Sequence, residues 1–175
     1  AAMGAATTMM IVLGNEHSTA QAFVWLTGSV YGADWNDVRA MLPWVLVFLP
    51  LSLFFSRAAS ALELGDQVAS GLGVRVQLHR FSLLFISVAL AGSAVAYAGG
   101  MGFIGLIAPH IARRLVGRSF GSLVPVAAMV GGMIVITADV VARTLFLPLD
   151  LPAGVFVSAV GAPFFIYLLY RNRHQ

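Results

Sequence analysis

Residues 81–112 run for 32 positions without an Asp, Glu, Lys or Arg. As one straight helix at 1.5 Å per residue, such a run would be about 48 Å long, well beyond a ~30 Å hydrocarbon core. Gly99, Gly100 and Gly102 supply a break, so the run reads as two segments. Similar apolar runs surround it. The chain is 59% hydrophobic and 10% charged, against about a quarter charged in soluble domains. A chain of this size cannot hide so much apolar surface within itself, so its solvent is lipid.

The apolar segments are 1–13, 41–56, 81–98, 102–111, 123–138 and 151–170. They predict an all-α polytopic membrane bundle of about five full spans plus the end of a sixth. Pro43, Pro50, Pro109 and Pro163 lie within or beside them. Such interruptions are tolerated where neighbouring helices or a wet cavity satisfy the freed backbone groups, and short, broken spans point to transporters. Residues 19–37 read as a half-helix lying against a cavity. Within the polar stretch 58–80, LELGDQVASGLG reads as a short helix stopped by Gly71 and Gly73. Residue 1 falls inside an apolar segment too short to span. Residues 1–175 are therefore expected to be the C-terminal part of one larger transmembrane domain whose N-terminal half is absent.

Charge placement tests the break. All ten cationic side chains are arginine. With the break, Arg57, Arg75, Arg80, Arg113, Arg114, Arg118, Arg171 and Arg173 fall on one side. Arg39 and Arg143 fall on the other, with Glu16, Asp34, Asp37, Asp139 and Asp150. The excess of arginine makes the first side cytoplasmic and puts the C-terminus there. Without the break the asymmetry collapses. The arginines form no basic patch interleaved with aromatics, which argues against nucleic acid. The absence of cysteine excludes disulfides, thiolate metal sites and thiol nucleophiles.

Two motifs lack the context their chemistry needs. GRSFG at 117–121 matches a nucleophile elbow, but an apolar helix rather than a strand precedes Ser119, so it reads as a glycine-rich connection. GMGFIG at 100–105 matches a dinucleotide loop, but no acid stands between Asp66 and Asp139. His110, after Pro109 in an apolar run, is alone in its segment. It reads as a structural or gating hydrogen bond rather than a metal ligand, and no metal site is expected. Asp139 and Arg143, four apart, share a helix face and can pair; they read as a local ion pair at the interface, as an outward-facing Arg143 that meets an acidic partner, or as both together, with Asp139 orienting Arg143. Ala128, Gly131, Gly132, Gly154, Ser158 and Ala162 are small residues suited to close helix packing.

Several stretches closely resemble the iron-siderophore and cobalamin ABC importer permeases, the FecCD-type family. They are GFIGLIAPHIARRLVG at 102–117, ADVVAR at 138–143 and LPAGVFVSAVGAPFFIYLL at 151–169. LGDQVASGLGV at 64–74 resembles the family's cytoplasmic coupling segment, and WLTGSVYGADW at 25–35 its external helix. The resemblance implies a permease in the bacterial cytoplasmic membrane, paired with a second copy or a paralogue. It also implies two cytoplasmic ATPase subunits and an extracytoplasmic substrate-binding protein. ATP and Mg would sit on the ATPase, since this chain has no P-loop and no lysine to complete one; the chain itself would be no enzyme and hold no cofactor. Leu64, Gly65, Asp66, Ala69, Leu72 and Gly73 match the coupling segment, Arg143 the arginine that faces the binding protein, and Trp25, Gly28 and Ser29 the half-helix at the cavity mouth. Asp150, where relatives often have Glu, and the GRSFG turn, where many have a more polar one, are departures. The expected cargo is a ferric siderophore, with haem or cobalamin as alternatives. An ion-coupled secondary transporter would instead want intramembrane carboxylates, and Asp139 is the sole candidate.

Overall fold

The computed structural model describes Met9 and residues 16–145 and 151–172; the expected segment 1–13 lies, Met9 apart, outside them. Among the described residues all regular structure is helical. The elements are α1 (Glu16–Thr27), α2 (Trp35–Phe54), α3 (Ser56–Glu63), α4 (Asp66–Gly71), α5 (Val76–Ala98), α6 (Ile104–Val116), α7 (Phe120–Leu145) and α8 (Ala153–Asn172). Four of them, α2, α5, α7 and α8, are long and apolar enough to cross a membrane.

The break is present, because α5 ends at Ala98 and α6 begins at Ile104. The consequence for α6 differs from expectation. Its 13 residues cover about 20 Å, short of a ~30 Å core, so segment 102–111 is a short helix rather than a full span. Three of the other spans, α2, α5 and α7, run longer than their apolar runs, whereas α8 matches its run in length. α2 starts at Trp35, since Asp34 precedes it in extended backbone and donates its N–H to the Asp37 carboxylate at 3.0 Å. α7 continues past Ala138 because Asp139 and Arg143 neutralise each other along its face at 2.8 Å. Pro43 and Pro50 lie inside α2, Pro109 inside α6 and Pro163 inside α8. Each removes one helical hydrogen bond without ending its helix.

The packing is that of a membrane protein. α2 buries no residue, and Leu46, Leu84, Val88, Met133 and Ile166 are well exposed on the four long helices. Without a hydrophobic drive between helices in lipid, close approach rests on small residues. The α6–α7 seam shows this: Ala108, Ala112, Ala138 and Ala142 are buried. A Cβ at Gly131 would lie only 3.6 Å from Ala108 and Ile104. Ala138, Ala153 and Val157 form a small core with Ile104, Ile134 and Phe156 where α6, α7 and α8 meet. Gly132 and Ala128, also expected in packing, are exposed.

Candidate functional site

At the arginine-poor end, α1 is stapled by its backbone to two other elements. The Trp25 carbonyl accepts the N–H of Gly100 at 3.2 Å, and the Ala98 carbonyl accepts that of Ser29 at 2.9 Å. The Gly28 carbonyl accepts the N–H of Gly154 at 2.9 Å, satisfying a donor that the first turn of α8 leaves without a helical partner. Glycine is required at this joint. Gly28 and Gly99 hold φ of +80° and +72°, and a Cβ at Gly28 would lie 2.7 Å from the Met101 side chain. A Cβ at Gly99 would overlap the Trp25 carbonyl oxygen, and one at Gly154 that of Thr27. Of the three residues expected at a cavity mouth, Trp25 and Gly28 thus act through their carbonyls, and Ser29 also receives the Tyr31 N–H on its Oγ at 3.1 Å.

Phe103, beside the joint, was not singled out by its sequence. It is the one non-glycine residue with positive φ among those described, at 64°, a conformation costing about 1 kcal/mol or more. Its ring lies over Gly161, where a Cβ would be 2.6 Å from Phe103 Cγ. Only a glycine at position 161 leaves room for the ring there.

Arg143 lies at the same end. Its guanidinium pairs with Asp139 at 2.8 Å and stands 5.0 Å from the centroid of the Tyr31 ring. A cavity of about 150 Å³ adjoins the group, lined by Val24, Ser29, Tyr31, Asp139, Leu151 and Pro152 besides Arg143. The Arg143 side chain is 45% exposed and that of Asp139 20%, so the arginine is offered outward and the carboxylate sits beneath it. A fixed, exposed guanidinium is suited to a carboxylate or phosphate.

The opposite end carries the α3–α4 turn. Gly65 (φ +102°) and Gly73 (φ +80°) bracket α4, and between them Ala69 is fully buried. Leu64, Val68 and Leu72 are 65%, 49% and 65% exposed. A buried alanine thus seats the turn while three apolar side chains point away from it. Val68 was missed as a candidate; the periodicity 64, 68, 72 is its signal. Asp66 does not face outward alone. It accepts from Arg80 on α5 at 2.9 Å, and Glu63 stands 3.9 Å from Arg113 on α6. These pairs gather Glu63, Asp66, Arg80 and Arg113 at the end away from Arg143.

His110, expected to make a structural or gating hydrogen bond, sits at the seam of α6 and α8. Its Nε2 is buried with no hydrogen-bond partner among the described residues. α6 instead sets the ring edge-on to Phe164 of α8, centroids 5.8 Å apart. A cavity of about 460 Å³ lies along this seam, lined by residues including Ile107, Ile111, Ile134, Phe156, Val160 and Phe164. No cluster of His, Cys, Asp or Glu suited to a metal ion occurs among the described residues.

Residues 1–171 match the model of the FecCD transport family. The achromobactin transport system permease protein of Dickeya dadantii is 53% identical over 170 residues, 97% of this chain and 49% of the relative. The iron(3+)-hydroxamate import system permease protein of Bacillus subtilis is 46% identical, over 89% of this chain and 46% of the relative. The Fe(3+) dicitrate transport system permease protein of Escherichia coli is 41% identical, over 97% of this chain and 53% of the relative. This chain thus spans about half the length of the curated relatives it matches. A solved structure, described as a metal-chelate type ABC transporter facing inward, superposes with a TM-score of 0.88 at 30% identity, covering 96% of this chain and 55% of that one.

Proposed function

This chain belongs to the FecCD transport family, and on that premise we propose that it is the C-terminal part of an ABC importer permease carrying a ferric siderophore across the bacterial cytoplasmic membrane. The observation that carries this reading is identity of 53% to the achromobactin permease, sustained over 97% of this chain. The permease works with a second copy or a paralogue, and ATP and Mg act on a pair of cytoplasmic ATPase subunits. Arg143 receives the substrate-binding protein outside, and the α3–α4 turn receives the ATPase inside. Nucleotide-driven closure then reaches the spans as rigid-body movement. The C-terminus is cytoplasmic, as the arginine distribution supports. This chain is a transport subunit, and hydrolysis belongs to the ATPase.

The Asp66–Arg80 pair gives Asp66 a role in seating the turn, by tying α4 to α5. Both side chains are more than half exposed, at 57% and 58%, so the pair contributes at most about 1 kcal/mol to stability. Its value lies in the angle of the turn. Asp66→Arg is expected to lower uptake several-fold while the protein remains in the membrane, about the effect of losing one oriented ion pair. The swap Asp66→Arg with Arg80→Asp is expected to restore most of the uptake. A swap as defective as the single variant would show that the Asp66 carboxylate is needed by the ATPase itself.

The substrate is tested by labelled uptake in cells lacking the full-length gene, with and without complementation. The panel holds ferric hydroxamate and catecholate siderophores, haem and cobalamin. Restored uptake of a ferric siderophore is expected. Restored haem or cobalamin uptake alone would overturn the substrate assignment and leave the importer mechanism standing.

A further inference from the structure

One cation at the arginine-poor end is held by two residues that the sequence keeps far apart. The ion pair of Arg143 with Asp139 measures 2.8 Å, and the Tyr31 ring centroid lies 5.0 Å from the guanidinium carbon. Tyr31 is itself fixed: its N–H donates to Ser29 Oγ at 3.1 Å, and Ser29 donates its own N–H to the Ala98 carbonyl at 2.9 Å. The backbone that carries the ring is therefore tied to the glycine joint. A guanidinium has five N–H donors in one plane. Here the carboxylate occupies a terminal nitrogen and the ring stands over the group, while 45% of the side chain is open to solvent. This arrangement removes rotamer freedom from a long side chain before any partner arrives, and ordering such a side chain on binding costs about 0.5–1.5 kcal/mol.

We propose that Tyr31 and Asp139 are positioning residues for Arg143, holding its guanidinium so that the remaining N–H groups meet a carboxylate of the docking protein. The proposal rests on the reading that Arg143 receives the substrate-binding protein. It makes a prediction opposite to simple charge counting. Asp139 cancels positive charge at the docking surface, so its removal would tighten docking of an acidic partner if charge alone mattered. If Asp139 positions Arg143, its removal weakens docking.

The test uses the complete permease with its ATPase in lipid nanodiscs, titrated with the purified substrate-binding protein carrying ferric siderophore. Arg143→Gln is expected to weaken docking about tenfold. Asp139→Asn is expected to weaken it about fivefold despite the gain in positive charge. Tyr31→Leu weakens it about threefold, whereas Tyr31→Phe, which keeps the ring face, stays within about twofold of the parent. Once Arg143 is Gln, neither Asp139→Asn nor Tyr31→Leu weakens docking further. Unchanged or tighter docking by Asp139→Asn and unchanged docking by Tyr31→Leu, with Arg143→Gln still impaired, would overturn the positioning role alone. So would losses that persist in the Arg143→Gln background. Unchanged docking by Arg143→Gln would remove the premise as well. Tyr31 is 60% exposed, so its variants keep the question answerable should Asp139→Asn fail to fold.

Discussion

Gly154→Ala is expected to strip most of the folded permease from the membrane. The added Cβ would overlap the Thr27 carbonyl oxygen and lie 2.8 Å from the Gly28 carbonyl oxygen. Both neighbours are backbone atoms, so no side chain can turn aside. Relief requires α1 to draw away from α8, which breaks the Gly154 to Gly28 hydrogen bond. Overpacking costs about 1–3 kcal/mol, and losing a buried backbone bond about 1–3 kcal/mol more. Gly99→Ala meets the Trp25 carbonyl in the same way and adds strain at φ +72°. Gly132→Ala is the control, because nothing lies within 4 Å of its added Cβ and alanine suits a helix better than glycine by about 1 kcal/mol. The measurement is the thermal unfolding midpoint of the detergent-extracted complete permease, with the yield of monodisperse protein. A Gly154→Ala midpoint equal to the parent's would show that the joint does not exist as described.

Val68→Asp is expected to lower uptake more than tenfold, in line with the cost of a charge placed in an apolar interface, while leaving the permease folded. Leu64, Val68 and Leu72 are exposed on a turn whose buried residue is Ala69. Among the described residues nothing covers them. Covering them with a partner would stabilise the complex by about 25 cal/mol per Å² of apolar area removed from water. A carboxylate at the centre of that surface must be desolvated or must hold the partner away. Gln67→Glu adds a similar charge at a position that is already polar and exposed, and is expected to leave uptake within about twofold, as surface substitutions usually do. Co-purification of the ATPase separates the explanations. Loss of the ATPase with Val68→Asp and its retention with Gln67→Glu locate the defect at the apolar face. Retention by both, with uptake intact, would move the coupling surface elsewhere.

The parts of the fold legible in the sequence are those written in local composition. Gly99, Gly100 and Gly102 announce the break, and the placement of Arg113, Arg114 and Arg118 requires it. Gly71 and Gly73 mark the end of α4. Other features were hidden because their causes are not local. The start of α2 lies among charged and polar residues, where an apolar count stops early although Asp37 caps the backbone. α3 has no apolar run at all; it is helical because it packs between α4, α5 and α7. The short α6 reads as a span because its flanking turn, ending at Phe103, is as apolar as a helix. Gly154 looks like a packing residue in sequence, and the structure shows which backbone carbonyls it must admit.

The candidate site divides in the same way. Asp139 and Arg143 are four apart and their pairing is legible. Tyr31 is not, since no periodicity links it to α7; only the folded path of α1 and the joint brings it there. Asp66 reads as a docking charge until Arg80 is seen beside it. His110 reads as a hydrogen-bonding group, and its contact with the Phe164 ring of α8 is not legible in the sequence.

The proposed ATP-driven movement of cargo, passed through the α3–α4 turn, is measured in proteoliposomes. The complete permease, its ATPase and its substrate-binding protein are reconstituted, and uptake of radio-iron-labelled ferric siderophore is followed with ATP inside. Accumulation is expected, and is expected to stop both with a hydrolysis-deficient ATPase and with Val68→Asp in the permease. Accumulation that continues with the hydrolysis-deficient ATPase and instead follows an ion gradient would contradict the proposal.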